Sequence, residues 1–302
     1  MEQIAGYLFV TFAGEGEGEE QIRFSLSRDG LHFRDLNQGR CVLSSETGEK
    51  GVRDPFLLRT GEKGPYYLMA TDLRMASGRS WEDAVRRGSR SIVVWESEDL
   101  VHWMEARLCQ VGTPDAGCVW APEAVYDPEK DAYMVFWASY VNGKHRIYSS
   151  YTKDFREFTP AEIYLEKEYD VIDMTIVRAG DVFYRFYKDE CNKTICLDAG
   201  NALHGEFHEI PSKLLEQLKG VEGPAVIPLN DQKWCLFVDR FAENAGYLPV
   251  MCENLESGEF HIMEEGSFDM GVTPKRHGSI LALSREEYEV LDGRREIGIP
   301  FR

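Results

Sequence analysis

Five times along the 302-residue chain a two-part phrase recurs, and this internal repetition restricts the available folds more than any other property. The tail half is clearest in residues 22–33, 92–103 and 147–158, with weaker copies in 195–207 and 248–260. Each copy reads as a strand of alternating apolar and polar residues, a polar turn, and a second short strand opened by an aromatic. The closing aromatics Phe33, Trp103, Phe158, Phe207 and Phe260 fall 70, 55, 49 and 53 residues apart. The head half pairs a short apolar strand with an aromatic-rich one: 52–59 with 66–71, 120–126 with 132–137, 171–177 with 182–186, and 221–227 with 233–238. A fifth head, 276–283, lacks its second strand, and residues 6–12 at the other end of the chain supply a matching one. Four strands per unit at a period near 50 predict an all-β, five-bladed β-propeller. N-terminal strands complete its last blade and close the ring, which removes the open sheet edges. The expected organisation is one propeller domain over residues 1–302.

Composition narrows the partners. A net charge of -18 repels nucleic acid and anionic membranes, so a neutral small ligand suits the surface better. No apolar stretch approaches the roughly 18 residues of a membrane span, and no basic-then-apolar leader opens the chain. Seven cysteines, an odd number without Cys-x-x-Cys spacing, are read as reduced, buried structural thiols in a cytoplasmic protein. Short helices are expected at 80–87, at 211–218 and after the capping-box pattern of Ser284 and Glu287.

In a propeller the inner strand of each blade lines the central channel. Aligning the heads puts Asp54, Ala121, Asp173, Glu222 or its neighbour Gly223, and His277 at equivalent places near one face. Like charges gathered in a desolvated pocket push their pKa values apart, leaving one carboxyl protonated while another stays ionised. An acid and a base across a sugar-sized gap can hydrolyse a glycosidic bond, by inversion or retention according to their separation. Sugar rings stack on aromatic faces, which draws attention to Phe56, Trp120 and Trp137. Core packing is the stronger reading for Phe56 and Trp137, and a structural role for Glu123. The long segment 72–90, with 240–247 and the acidic run 14–20, is expected to wall the site.

The ordered series Arg53-Asp54-Pro55, Trp120-Ala121-Pro122-Glu123, Ile172-Asp173, Glu222-Gly223-Pro224 and Arg276-His277-Gly278-Ser279 resembles glycoside hydrolase family 43 over nearly the whole chain. That resemblance implies an inverting five-bladed propeller acting as a β-D-xylosidase or α-L-arabinofuranosidase on small oligosaccharides. It implies Asp54 as general base, Asp173 as the acid that tunes and orients the donor, and Glu222 as general acid. Arg53, Phe56, Trp120, Trp137, Arg276 and His277 would contact substrate. No cofactor is required, although relatives allow a calcium ion near His277. The chain departs from the family in two places: an N-terminal half-blade precedes Asp54, and Met174 follows Asp173 where proline is usual. Retaining fructan hydrolases, glycoside phosphorylases and non-catalytic sugar-binding propellers remain alternatives. The Ala121-Pro122-Glu123 triplet lacks the rest of a kinase signature. Glutamates spoil the Gly14–Gly18 run as a phosphate cradle, and the Asn192 sequon matters only in a secreted chain.

Overall fold

The protein, described by a computed structural model over residues 4–61, 64–230, 233–294 and 296–298, forms five four-stranded antiparallel sheets. Blade I comprises Val52–Arg59, Tyr66–Asp72, Ser91–Ser97 and Arg107–Gln110, from the inside outward. Blade II follows with Trp120–Asp127, Ala132–Val141, Lys144–Thr152 and Glu162–Leu165. Blade III is Val171–Ala179, Val182–Asp189, Thr194–Gly200 and Phe207–Glu209. Blade IV is Glu222–Pro228, Trp234–Asp239, Tyr247–Cys252 and His261–Ile262. Blade V joins the two ends of the chain: Arg276–Leu283 pairs with Gly6–Phe12, followed by Arg23–Ser27 and Phe33–Asp35. This is the β-propeller, with the N-terminal closure, that the repeat predicts.

The recurring tail phrase has a local physical cause. In blade V the Ser27 hydroxyl accepts the backbone N–H groups of Asp29 and Gly30, and the Asp29 carboxylate accepts those of Leu31 and His32. Ser97 and Asp99 build the same turn in blade I, and Thr152 and Asp154 build it in blade II. These side chains satisfy backbone donors that a tight turn would otherwise leave unpaired. The closing aromatic is thereby delivered to the same place in each blade.

Among the described residues the large apolar clusters lie between blades. Because side chains alternate across a strand, each blade presents two apolar faces, and the apolar clusters occupy the seams between neighbouring blades. Tyr67, Met69 and Ile92 meet Val135 and Trp137 between blades I and II. Phe136 and Ile147 meet Ile172 and Phe183 between blades II and III, and Phe186 and Ile195 meet Leu236 and Val238 between III and IV. Phe237 meets Phe9 and Phe33 between IV and V, and Leu8 and Phe24 meet Leu68 and Trp95 between V and I. Each fully buried large apolar side chain contributes about 1.5–3 kcal/mol, so every seam depends on a handful of such groups.

The helices are Trp81–Arg87, Lys213–Gln217 and Arg285–Asp292, slightly shorter than the sequence pattern suggests for the second. Ser284 and Glu287 form the expected capping box. Glu287 also accepts from Arg59 at 2.6 Å and from the Tyr66 hydroxyl at 2.6 Å, which pins this helix to blade I. The thiols differ from the expectation in one respect: Cys41 and Cys191 are exposed, whereas Cys109, Cys118, Cys235 and Cys252 are buried. Among the described residues no helix is long and apolar enough to cross a membrane.

Ring closure depends on a glycine. A Cβ on Gly278 would lie 2.0 Å from the Val10 carbonyl oxygen of the paired strand. Gly278→Ala should therefore cost roughly 2–4 kcal/mol and lower Tm by several degrees, whereas Gly293→Ala, with room at 3.4 Å from the Glu289 carbonyl, should leave Tm nearly unchanged. Equal melting of the two variants would refute the closure argument.

Candidate active site

The inner strands carry the site through a shared backbone irregularity. All five blades shift register near the start of the inner strand, between Arg53 and Phe56, Trp120 and Glu123, Ile172 and Thr175, Glu222 and Ala225, and Arg276 and Ser279. Within the bulges of blades I to IV one residue turns left-handed: Asp54 at φ 50°, Ala121 at 48°, Asp173 at 53° and Gly223 at 54°. Such a conformation costs a non-glycine residue about 1–3 kcal/mol, and bulges re-aim the side chains they carry. Glu222 therefore precedes the position equivalent to Asp54 by one residue and matches Arg53, Trp120, Ile172 and Arg276. At the equivalent position itself glycine is required, because a Cβ on Gly223 would meet His277 Cγ at 2.6 Å.

Opposite each bulge stands a second-strand residue: Thr71, Ala138, Lys188, Asp239 and Phe12. Four of these five brace the next blade. The Thr71 hydroxyl donates to Asp54 Oδ2 at 2.8 Å and accepts the Ala121 N–H of blade II at 2.7 Å. Lys188 reaches Glu222 of blade IV at 2.9 Å. Asp239 accepts from Arg276 Nε at 2.7 Å and from the His277 N–H of blade V at 3.1 Å. Phe12 packs under the Arg53 guanidinium of blade I at 4.6 Å.

These elements surround a cavity of about 720 Å³ lined by all three predicted acids, Asp54, Asp173 and Glu222. His277 stands between two of them, its Nδ1 3.4 Å from Asp54 Oδ1 and 3.8 Å from Asp173 Oδ2. The Gly223 N–H donates to Asp173 at 3.4 Å. Glu222 is gripped from both sides, by Lys188 on Oε2 at 2.9 Å and Arg276 on Oε1 at 3.0 Å.

The environments split the carboxyls. Burial pushes Asp173 up to about 6, with Glu222 and Asp54 adding repulsion that His277 and Lys188 only partly offset. Burial would raise Glu222 too, but the charges of Lys188, His277 and Arg276 outweigh it and hold this carboxyl below its ordinary value. Asp173 therefore holds its proton to higher pH than Glu222 does. Glu123, buried against Thr175 of blade III, is raised well above the usual carboxylate range by burial. One of its oxygens has no partner.

The walls come from the expected segments. Trp81 and Val85 on the helix of 72–90, Glu15 and Glu19 of the acidic run, and Phe241 and Asn244 of 240–247 all face the cavity. Trp120 lines it as well, stacked on His145 and met edge-on by Trp81 at 6.0 Å. Arg53 faces the cavity but is committed to Glu20 at 3.1 Å and Glu15 at 3.2 Å. Arg276 likewise serves Glu222 and Asp239.

Two predicted substrate contacts are not brought to the cavity. Trp137 is fully enclosed in the seam between blades I and II, its indole N–H donating to Ser139 at 3.1 Å. Phe56 packs against the same cluster. Both lie past or opposite the bulge, where strand alternation turns side chains into the seam. Conversely, Lys188, Glu190, Asp239 and His145 were not anticipated. For Lys188 and Asp239 a signal was available, since both occupy the second-strand position that repeats across from every bulge.

Among the described residues, the side chains facing His277 Nδ1 are the carboxylates of Asp54 and Asp173. Calcium takes six to eight oxygen ligands, whereas here a ring nitrogen faces carboxylates already engaged by Thr71 and Gly223. Among the described residues no group of three or more His, Cys, Asp or Glu is arranged to hold a metal.

Comparison with known proteins agrees with this architecture. The chain is 32% identical over 292 residues to an α-L-arabinofuranosidase of Bifidobacterium longum subsp. longum, an alignment covering 80% of this chain and 27% of that protein. It thus spans about a quarter of that relative's length. An endo-1,4-β-xylanase structure from Bacteroides thetaiotaomicron superposes with TM-score 0.59 at 13% identity, covering 90% of this chain and 98% of the other. A Podospora anserina α-L-arabinofuranosidase in complex with cellotriose superposes with TM-score 0.53 at 14% identity, covering 75% of each chain. At these identities the structures attest the fold. Residues 2–289 match the family described as "probable glycosyl hydrolase domain", and the chain belongs to this glycosyl hydrolase 43-related family.

Proposed function

We propose that the chain is an inverting glycoside hydrolase, exo-acting on short xylan- or arabinan-derived oligosaccharides, as a β-D-xylosidase or α-L-arabinofuranosidase. The observation that carries this reading is the convergence of Asp54, Asp173 and Glu222, from three separate blades, on one cavity. Its volume falls within the roughly 300–1,000 Å³ of small-molecule sites, and walls on several sides favour a terminal sugar over an internal one. Trp120 offers an aromatic face for ring stacking. The relative's name supports arabinofuranoside, and an odd number of thiols, two of them exposed, suits a reducing cytoplasm.

In the proposed single step Asp54, oriented by Thr71 and His277, takes a proton from water as that water attacks the anomeric carbon. Glu222 gives a proton to the departing glycosidic oxygen while the bond to the anomeric carbon breaks. Asp173, when protonated below about pH 6, lowers the charge crowded around Glu222. Arg53 and Arg276 hold the rim and the donor through their ion pairs rather than as free sugar ligands.

Three outcomes check the reading. Glu222→Ala should lose roughly 10²–10⁴-fold on oligosaccharides but far less on dinitrophenyl glycosides, whose leaving group needs no proton; Asp54→Asn should lose comparably on both. If Asp173→Asn rather than Glu222→Ala shows this discrimination, Asp173 is the donor. Proton NMR of the first-formed sugar, after a nitrophenyl screen of β-D-xylopyranoside and α-L-arabinofuranoside, should show the inverted anomer, and retention would sink the one-step scheme. The third outcome concerns stability. Because the folded-state pKa of Asp173 is raised from 3.8 to about 6, its contribution is fully present below pH 4 and is lost as pH rises through 6. Asp173→Asn should therefore gain on the parent in unfolding free energy, measured by denaturant titration, at pH 8 relative to pH 4.5, by on the order of 1–3 kcal/mol. A pH-independent difference would contradict the assigned burial.

A further inference from the structure

We propose that Lys188 is a positioning residue that controls when Glu222 can hold a proton, by dividing its ammonium between Glu222 and Glu190. The inference rests on Glu222 being the proton donor. Lys188 sits at the end of the second strand of blade III, buried, with Nζ 2.9 Å from Glu222 Oε2 and 2.8 Å from Glu190 Oε2. The Phe241 ring covers the ammonium at 4.3 Å. It is thus hydrogen-bonded to Glu222 while a second, buried carboxylate oxygen without a hydrogen-bond partner, Glu190 Oε2, stands within ion-pair distance.

The two cations on Glu222 differ in their freedom. Arg276 is anchored through Nε to Asp239, so its planar guanidinium cannot leave Glu222 without breaking a buried pair. Lys188 is a compact charge on a flexible stem with a second carboxylate already within bonding distance. From Lys193 through Glu190, Lys188, Glu222 and Arg276 to Asp239 the charges alternate in sign along one chain of contacts, with Glu222 near its middle. Lys188 and Glu190 both line the cavity, so an occupant touches the pair directly.

The groups that face Glu222 are Lys188 and Asp173 of blade III, Asp239 and Tyr247 of blade IV, and Arg276 and His277 of blade V, with Glu190 and Asp54 one contact further out. Among these, Lys188 is the strongest influence favouring the carboxylate. A shift of its ammonium toward Glu190 leaves Glu222 with Arg276 as its one bonded cation and lets the carboxyl take a proton from solvent. Lys188 remains charged throughout.

The test uses kcat/KM profiles against pH for whichever oligosaccharide is cleaved and for the dinitrophenyl glycoside of the same sugar. The limb present on the oligosaccharide and absent on the activated glycoside belongs to the donor. Lys188→Met, similar in shape but uncharged, should move that limb to higher pH. Glu190→Gln, which releases Lys188 to Glu222, should move it to lower pH, while the activated-glycoside profile stays in place for both. A limb unmoved in both variants, or moved the same way in both, overturns the role of Lys188. Should Lys188→Met fail to fold, by circular dichroism, the direction seen in Glu190→Gln decides alone. If the parent shows no donor limb, or Glu222→Gln loses equally on both substrates, the donor assignment itself falls and takes this inference with it.

Discussion

The site exists because the backbone turns left-handed at one place near the start of an inner strand, four times around the ring. A regular strand would send successive side chains alternately into the two seams, where the apolar clusters lie. The bulge interrupts that alternation and re-aims one side chain per blade. Asp54 and Asp173 accept the conformational cost there, and Gly223 avoids it while making room for His277. The strain is tolerated because four of the five residues opposite the bulges brace the neighbouring blade, most directly where Thr71 and Asp239 accept its backbone N–H groups.

The same braces set the electrostatics. Repeating one position around a ring places Thr71, Lys188 and Asp239 at equal depth, but their chemistry differs, so the environments of the acids differ as well. Asp54 receives a neutral hydroxyl, Glu222 receives two cations, and Asp173 receives a backbone N–H and a histidine. In a desolvated cavity that inequality drives the titrations of Asp173 and Glu222 apart. Lys188 and Arg276 favour the ionised form of Glu222, opposite to the state a proton donor needs, so the proposed role requires its contacts to change when substrate binds.

Apolar packing and catalysis are divided along each strand. Past the bulge the inner strands serve the seams, which is why Phe56 and Trp137, aromatic and close in sequence to site residues, belong to the core. Trp120 escapes that fate by lying at the strand's first residue, where it meets Trp81 and His145 at the wall of the cavity.

Sequence alone determined the ring: strand alternation and the Ser/Thr-x-Asp turns are local, so their repetition and the missing strand of the fifth head were legible without coordinates. Blade spacing also located Asp54 and Asp173 and narrowed blade IV to Glu222 or Gly223, between which the family resemblance chose Glu222. What it could not show was which side chain across each bulge faces which acid. The braces join residues of different blades, dozens of positions apart, and Lys188 and Asp239 gain meaning only when neighbouring blades bring them against Glu222 and Arg276. A pattern of single residues fixes strand faces, whereas the charge balance of the cavity is set by contacts that exist only once the ring has closed.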